Sequence, residues 1–80
     1  MKIRYFAGAA EAAGVAEETL EPDFDVTVAD LVKQLGADRD RLAKVLAVST
    51  LLIDGHPAHD RTEPVGPAAQ VDVLPPFAGG

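Results

Sequence analysis

Thr27-Val28-Ala29-Asp30 opens the clearest helix in this chain, and that helix constrains the rest. Val28, Leu31, Val32 and Leu35 fall at i, i+3, i+4 and i+7, so one stripe is apolar and must be covered. Thr27 supplies a capping hydroxyl, and Asp30 three residues later suits the positive end of a helix. Gly36 is expected to close it, giving a two-turn helix over 28–35. The segments at both ends of the chain alternate instead, so the helix is expected to lie on a sheet.

Residues 2–7 put Ile3, Tyr5 and Ala7 on one face and Lys2, Arg4 and Phe6 on the other, which predicts a half-buried strand. The alanine-rich stretch from Gly8 to Gly14 suits a helical turn or a loop and is taken as the tip of a hairpin, and 15–21 reads as a weaker strand ended by Pro22. After the main helix, Asp38 is expected to cap a shorter one with the stripe Leu42, Val45 and Leu46. Leu51-Leu52-Ile53 predicts a short strand, Asp54-Gly55 a tight turn, and His56-Pro57-Ala58 the return. Residues 60–69, with Pro64, Gly66 and Pro67, read as a loop. Gln70–Leu74 is the last strand, with Val71 and Val73 facing the core, and pairing stops at Pro75-Pro76 because neither can donate. This order predicts an α+β fold: a β-grasp, ubiquitin-like mixed sheet of four to five strands on one main helix, over residues 1–74, with a flexible extended tail over 75–80.

At 80 residues the chain is one domain with a small core. Thirteen acidic against seven basic residues give a net charge of −6, which disfavours nucleic acid and anionic membranes and favours a basic protein partner. There is no cysteine, hence no disulfide or thiolate chemistry. No stretch suits a signal peptide or a membrane span, so a cytoplasmic location is expected.

The inventory of reactive groups is thin. His56 and His59 sit three apart in a proline-bearing turn and read as surface residues rather than metal ligands. Glu17-Glu18 and Asp38/Asp40 read as solvated or capping carboxylates, because an acid–base pair needs a pocket that shifts its pKa. Ser49 and Thr50 belong to no nucleophile motif, and no phosphate-cradling glycine pattern occurs. No metal site or stably bound cofactor is expected, and no active site of its own.

Two features remain. The alternation that buries Ile3 and Tyr5 sends Phe6 outward, and the one that buries Val71 and Val73 sends Leu74 outward. In a β-grasp the first and last strands are parallel neighbours, so Phe6 and Leu74 are expected to form an exposed apolar patch for a partner. The chain then ends in Leu74-Pro75-Pro76-Phe77-Ala78-Gly79-Gly80. The prolines favour an extended course, and the six residues after Leu74 would carry the terminal carboxylate roughly 20 Å from the sheet. Gly79 and Gly80 can thread a narrow channel because they carry no side chain.

Three stretches, IRYFAGAAEAAG, VTVADLVKQLG and VDVLPPFAGG, resemble the MoaD/ThiS family of ubiquitin-like sulfur carriers over nearly the whole chain. The terminal Gly-Gly after Pro-Pro is the most specific part, and the Tyr-Phe-Ala strand is most similar to the small subunit of molybdopterin synthase. The chain departs from that pattern at Ala10, where an arginine commonly precedes the acid matching Glu11, and at Leu74, commonly phenylalanine.

The resemblance implies a function seated on Gly80. A ubiquitin-activating-like adenylating enzyme would use ATP to convert its carboxylate to a transient C-terminal AMP anhydride. A sulfur donor would then displace AMP to leave a thiocarboxylate. Phe77, Ala78 and Gly79, with Pro75 and Pro76, would thread the active site of a partner, most closely the large subunit of molybdopterin synthase in molybdenum cofactor biosynthesis. Phe6 and Leu74 would contact partners, and the catalytic residues would be theirs, so the chain would not be an enzyme alone. The same pattern also fits carriers of thiamine or cysteine pathways, and a protein modifier that joins Gly80 to lysines.

Overall fold

Strands from opposite ends of the chain lie side by side at the centre of the sheet. In the computed structural model, which describes residues 1–22 and 24–76, β1 (Lys2–Tyr5) runs parallel to β7 (Gln70–Leu74). The register sets Lys2 beside Gln70, Ile3 beside Val71, Arg4 beside Asp72 and Tyr5 beside Val73. β2 (Glu17–Thr19) pairs antiparallel with β1 on one flank. On the other flank β4 (Thr50–Ile53) pairs antiparallel with β7, and β5 (His56–Pro57) with β4. The five-stranded order is β2-β1-β7-β4-β5. The mixed sheet and its parallel central pair are the β-grasp arrangement expected of the sequence.

The helices cover one face. α2 (Val28–Gly36) begins as predicted: the Thr27 hydroxyl accepts the Asp30 N–H at 3.1 Å, and Val28, Leu31 and Leu35 are buried. Gly36 does not act as the predicted cap. It is the last helical residue, and Ala37 caps in an extended conformation. A β-carbon at Gly36 would lie 3.0 Å from that of Ala43, so glycine is there to let two helices approach. The second of them, α3 (Asp40–Val48), buries Leu42 and Leu46. Asp38 does not cap it; Arg39 holds that position without a side-chain cap bond, and Asp38 takes a left-handed φ of 58°.

The sequence reading was wrong about three other segments. Residues 8–14 are not a bare hairpin tip: Gly8–Ala13 form the helix α1, with Ala9 buried and Gly14 closing it at φ 80°. Alanine's high helix propensity and the burial of Ala9 explain the difference. Ala7 does not face the core with Tyr5, because the strand ends and Ala7 is an exposed turn residue at φ 49°. The 60–69 stretch is not all loop. β6 (Pro64–Val65) pairs with β3 (Val26–Thr27), and Val65 is fully buried.

The Asp54-Gly55 turn and the expected core follow the sequence. Asp54 and Gly55, at φ 50° and 86°, make the tight turn between β4 and β5. The segment before β6 satisfies two of the free N–H groups at the start of α2: Glu63 accepts from Val28 at 3.0 Å and Arg61 from Ala29 at 2.9 Å. Ile3, Leu31, Leu35, Leu42, Leu46, Val65, Val71 and Val73 form the centre of the core.

Candidate functional site: the outer face of the sheet and the strand that feeds the tail

The face of the sheet away from the helices is laid out by the strand register. One row crosses it through Glu17, Arg4, Asp72, Leu52 and Pro57, each paired with the next. Below it lie Thr19, Lys2 and Gln70. Above it, where β1 and β7 end, are Phe6, Leu74 and, paired with Leu74, Thr50. Phe6 is 36 % exposed, and its backbone N–H reaches the Val73 carbonyl at 3.2 Å. Leu74 is half-buried. The structure therefore puts both expected residues on the outer face of the two central strands, with Leu74 the less available.

The charges on this face are matched. Arg4 grips Asp72 with two parallel bonds, Nε to Oδ1 at 2.8 Å and Nη2 to Oδ2 at 3.0 Å. The Asp72 hydrogen bond raises the pKa of Arg4. The Arg4 guanidinium also sits 5.5 Å from the centroid of the Phe6 ring, a cation–π distance. Lys2 and Glu17 approach at 3.5 Å. Alternation along the first strand places Arg4 outward but does not single out Arg4 or Asp72. The available signal was the parallel register, which sets the two opposite each other.

β7 stops at Leu74, as the proline pair predicts. Pro75 is buried and Pro76 exposed, so the chain leaves the domain's surface one residue later than a stalk beginning at Pro75 would. Phe77, Ala78, Gly79 and Gly80 lie outside the described residues.

On the inner face, Tyr5 is 3 % exposed. Its hydroxyl has no hydrogen-bond partner among the described residues and lies against the Glu18–Arg39 pair. Burial, then the Glu18 charge, push its pKa up to about 12. Glu17 and Glu18 thus serve opposite faces and make no acid–base dyad. His56 and His59 are exposed, and among the described residues no group of three or more His, Cys, Asp or Glu could hold a metal.

A cleft of about 240 Å³ opens between α2, α3 and β4, floored by Val28, Val32 and Leu46 and rimmed by Ser49, His59 and Arg61. The Ser49 hydroxyl is committed to the Val45 carbonyl at 2.7 Å, so no activated nucleophile is assembled there. Among the described residues no helix is long and apolar enough to cross a membrane.

Fold and surface together define a ubiquitin-like β-grasp protein. The model of the ThiS family matches residues 3–80, and the chain belongs to that ThiS/MoaD family of small ubiquitin-like carriers. Solved structures agree. SAMP1 from Haloferax volcanii is 26 % identical, covering 100 % of this chain and 98 % of that one, with a TM-score of 0.82. The H. volcanii small archaeal modifier protein 1 is 25 % identical, covering 96 % and 97 %, with a TM-score of 0.80. A protein from Pyrococcus furiosus described as molybdopterin converting factor, subunit 1, is 24 % identical, covers 95 % of each chain at a TM-score of 0.79, and shares the fold. No curated protein matches the chain significantly in sequence.

Proposed function

We propose that the chain is a cytoplasmic sulfur carrier that acts through Gly80, as the small subunit of molybdopterin synthase. The observation that carries this is the family match, which runs through residue 80. A carboxylate is a poor electrophile. An oxygen of the Gly80 carboxylate attacks the α-phosphorus of ATP on the adenylating partner, pyrophosphate leaves, and an acyl-adenylate forms. A hydrosulfide ion then attacks that carbonyl and AMP departs, leaving a thiocarboxylate at the end of a side-chain-free arm. The large subunit accepts the arm, and Phe6 and Leu74 dock against it. The Tyr5-Phe6-Ala7 motif where β1 ends supports the molybdopterin branch over a thiamine or cysteine pathway.

The test is intact mass after incubation with a cognate adenylating enzyme, ATP and a sulfur source. The wild type gains the mass difference between sulfur and oxygen, and the Gly80 deletion does not. An unchanged wild-type mass, or a gain that survives the deletion, refutes the reading.

A second reading, conjugation of Gly80 to lysines, is favoured by the likeness to the H. volcanii structure named a modifier protein. It requires slow-migrating, reductant-resistant adducts in lysate that vanish when Gly80 is removed.

A further inference from the structure

The Arg4–Asp72 pair has an unusual position for an ion pair on a small acidic domain. It lies at the centre of the outer face, on the two strands that end in Phe6 and Leu74. Asp72 is almost covered, its side chain 12 % exposed, whereas that of Arg4 remains 41 % exposed. Two of the five guanidinium N–H groups are spent on Asp72. With Lys2 and Glu17 beside it, this face carries two positive and two negative charges and is locally neutral, although the chain bears −6. The excess acid lies elsewhere.

A partner that covers Phe6 also covers Arg4, because the guanidinium sits over the ring. Burying a guanidinium already held by two parallel bonds costs far less than burying one stripped of its counter-ion. A basic partner surface would repel Arg4, and an acidic one would compete with Asp72 for it. What fits is an apolar surface without formal charge that offers a neutral oxygen to the unspent N–H groups.

We propose that the outer face of the β1–β7 pair receives an uncharged, apolar surface of a partner protein, and that Arg4, braced by Asp72, determines specificity there by holding Phe6 and requiring a neutral acceptor opposite it. The inference rests on the carrier reading, in which a partner that takes the arm lies against the end of β7. It alters the expectation of a basic partner: the net charge of the chain governs long-range approach, while this face selects against charge at contact.

The experiment titrates the wild type and three variants into the molybdopterin synthase large subunit of the source organism by calorimetry, with the melting temperature of each recorded. Asp72→Asn leaves the guanidinium under the interface without its carboxylate, and binding weakens at least about tenfold. Arg4→Met with Asp72→Leu removes both charges and keeps the face apolar but leaves the partner's acceptor unpaired, so it binds more weakly than wild type and better than Asp72→Asn. Arg4→Lys keeps the charge and the fold but loses the two-pronged grip, and falls between them. Folded Asp72→Asn that binds within about twofold of wild type, or a double variant no better than Asp72→Asn, overturns the inference and leaves the carrier reading standing. Absence of wild-type binding overturns the small-subunit reading and this inference with it.

Discussion

Arg39 and Glu18 meet in a two-pronged pair, Nη1 to Oε2 and Nη2 to Oε1, both at 3.0 Å. The pair ties the start of α3 to the edge strand β2 and lies against the Tyr5 hydroxyl. Its effects are readable through a single chromophore, since Tyr5 is the only tyrosine and the chain has no tryptophan.

The ultraviolet absorbance of Tyr5 should therefore titrate at about 12 rather than at its ordinary value of 10. Burial is the first cause and the Glu18 charge the second. A raised folded-state value means that the folded protein holds the phenol proton more tightly than the unfolded chain. That contribution is complete below pH 10 and is lost as the pH rises through about 12. Glu18→Gln should bring the titration part of the way down. A wild-type midpoint near 10 would show that the hydroxyl is solvated.

Arg39→Ala should cost about 1–2 kcal/mol in chemical denaturation, because it frees a half-buried carboxylate beside an apolar ring. Glu18 is held below its ordinary value chiefly by the Arg39 hydrogen bonds. The stability it adds is thus present above its unfolded pKa and lost as the pH falls through the lowered one. The acid limb of the stability profile should flatten in Arg39→Ala. An unchanged limb would mean the pair is a solvent-screened contact.

Much of this architecture was legible in the sequence, and the misses share a cause. The 28–35 stripe, the alternating terminal strands and Asp54-Gly55 announce themselves through local periodicity and turn chemistry. Phe6 and Leu74 followed from the same alternation. The two-residue strands β3 and β6 have no period to detect and exist only because distant segments meet. Gly36 looks like a cap from its neighbours, but its reason is Ala43 on another helix. Arg4 and Asp72 are 68 residues apart, and only the strand register brings them together. Phe77–Gly80, on which the proposed chemistry depends, were read from residue type and family likeness alone.

Ala7 carries strain that glycine would remove. Its φ of 49° with ψ of −127° is a conformation that disfavours a β-carbon, at the turn where the Ala9 N–H meets the Phe6 carbonyl at 3.0 Å. Relief of about 1–3 kcal/mol is offset by the larger entropy of glycine in the unfolded chain, leaving Ala7→Gly about 1 kcal/mol more stable. A lower melting temperature would contradict the strained turn.

Gly36→Val should destabilise the helix layer. The space for a β-carbon is closed by Ala43, whose own β-carbon is 3.0 Å and whose α-carbon is 3.2 Å away. Backbone cannot swing aside as a long side chain can, so α2 and α3 must separate, at about 1–3 kcal/mol. Ala43→Gly in the same chain should recover part of that loss. If the double variant is no more stable than Gly36→Val, the close approach is not the cause.

Phe6→Ser separates docking from folding. The ring is 36 % exposed, and the backbone bond from Phe6 to Val73 does not depend on it. The fold should lose about 1 kcal/mol or less, since a surface truncation leaves no cavity in the core. If the proposed docking holds, binding to the large subunit should fall at least about tenfold, because an exposed aromatic anchor carries a disproportionate share of an interface's affinity. Adenylation of Gly80 should be measured on the same sample, since the activating enzyme and the large subunit need not use the ring equally. A variant that melts much earlier would show that the exposed ring helps to seal the β1–β7 seam. A variant that binds like wild type would move the docking surface away from this end of the sheet.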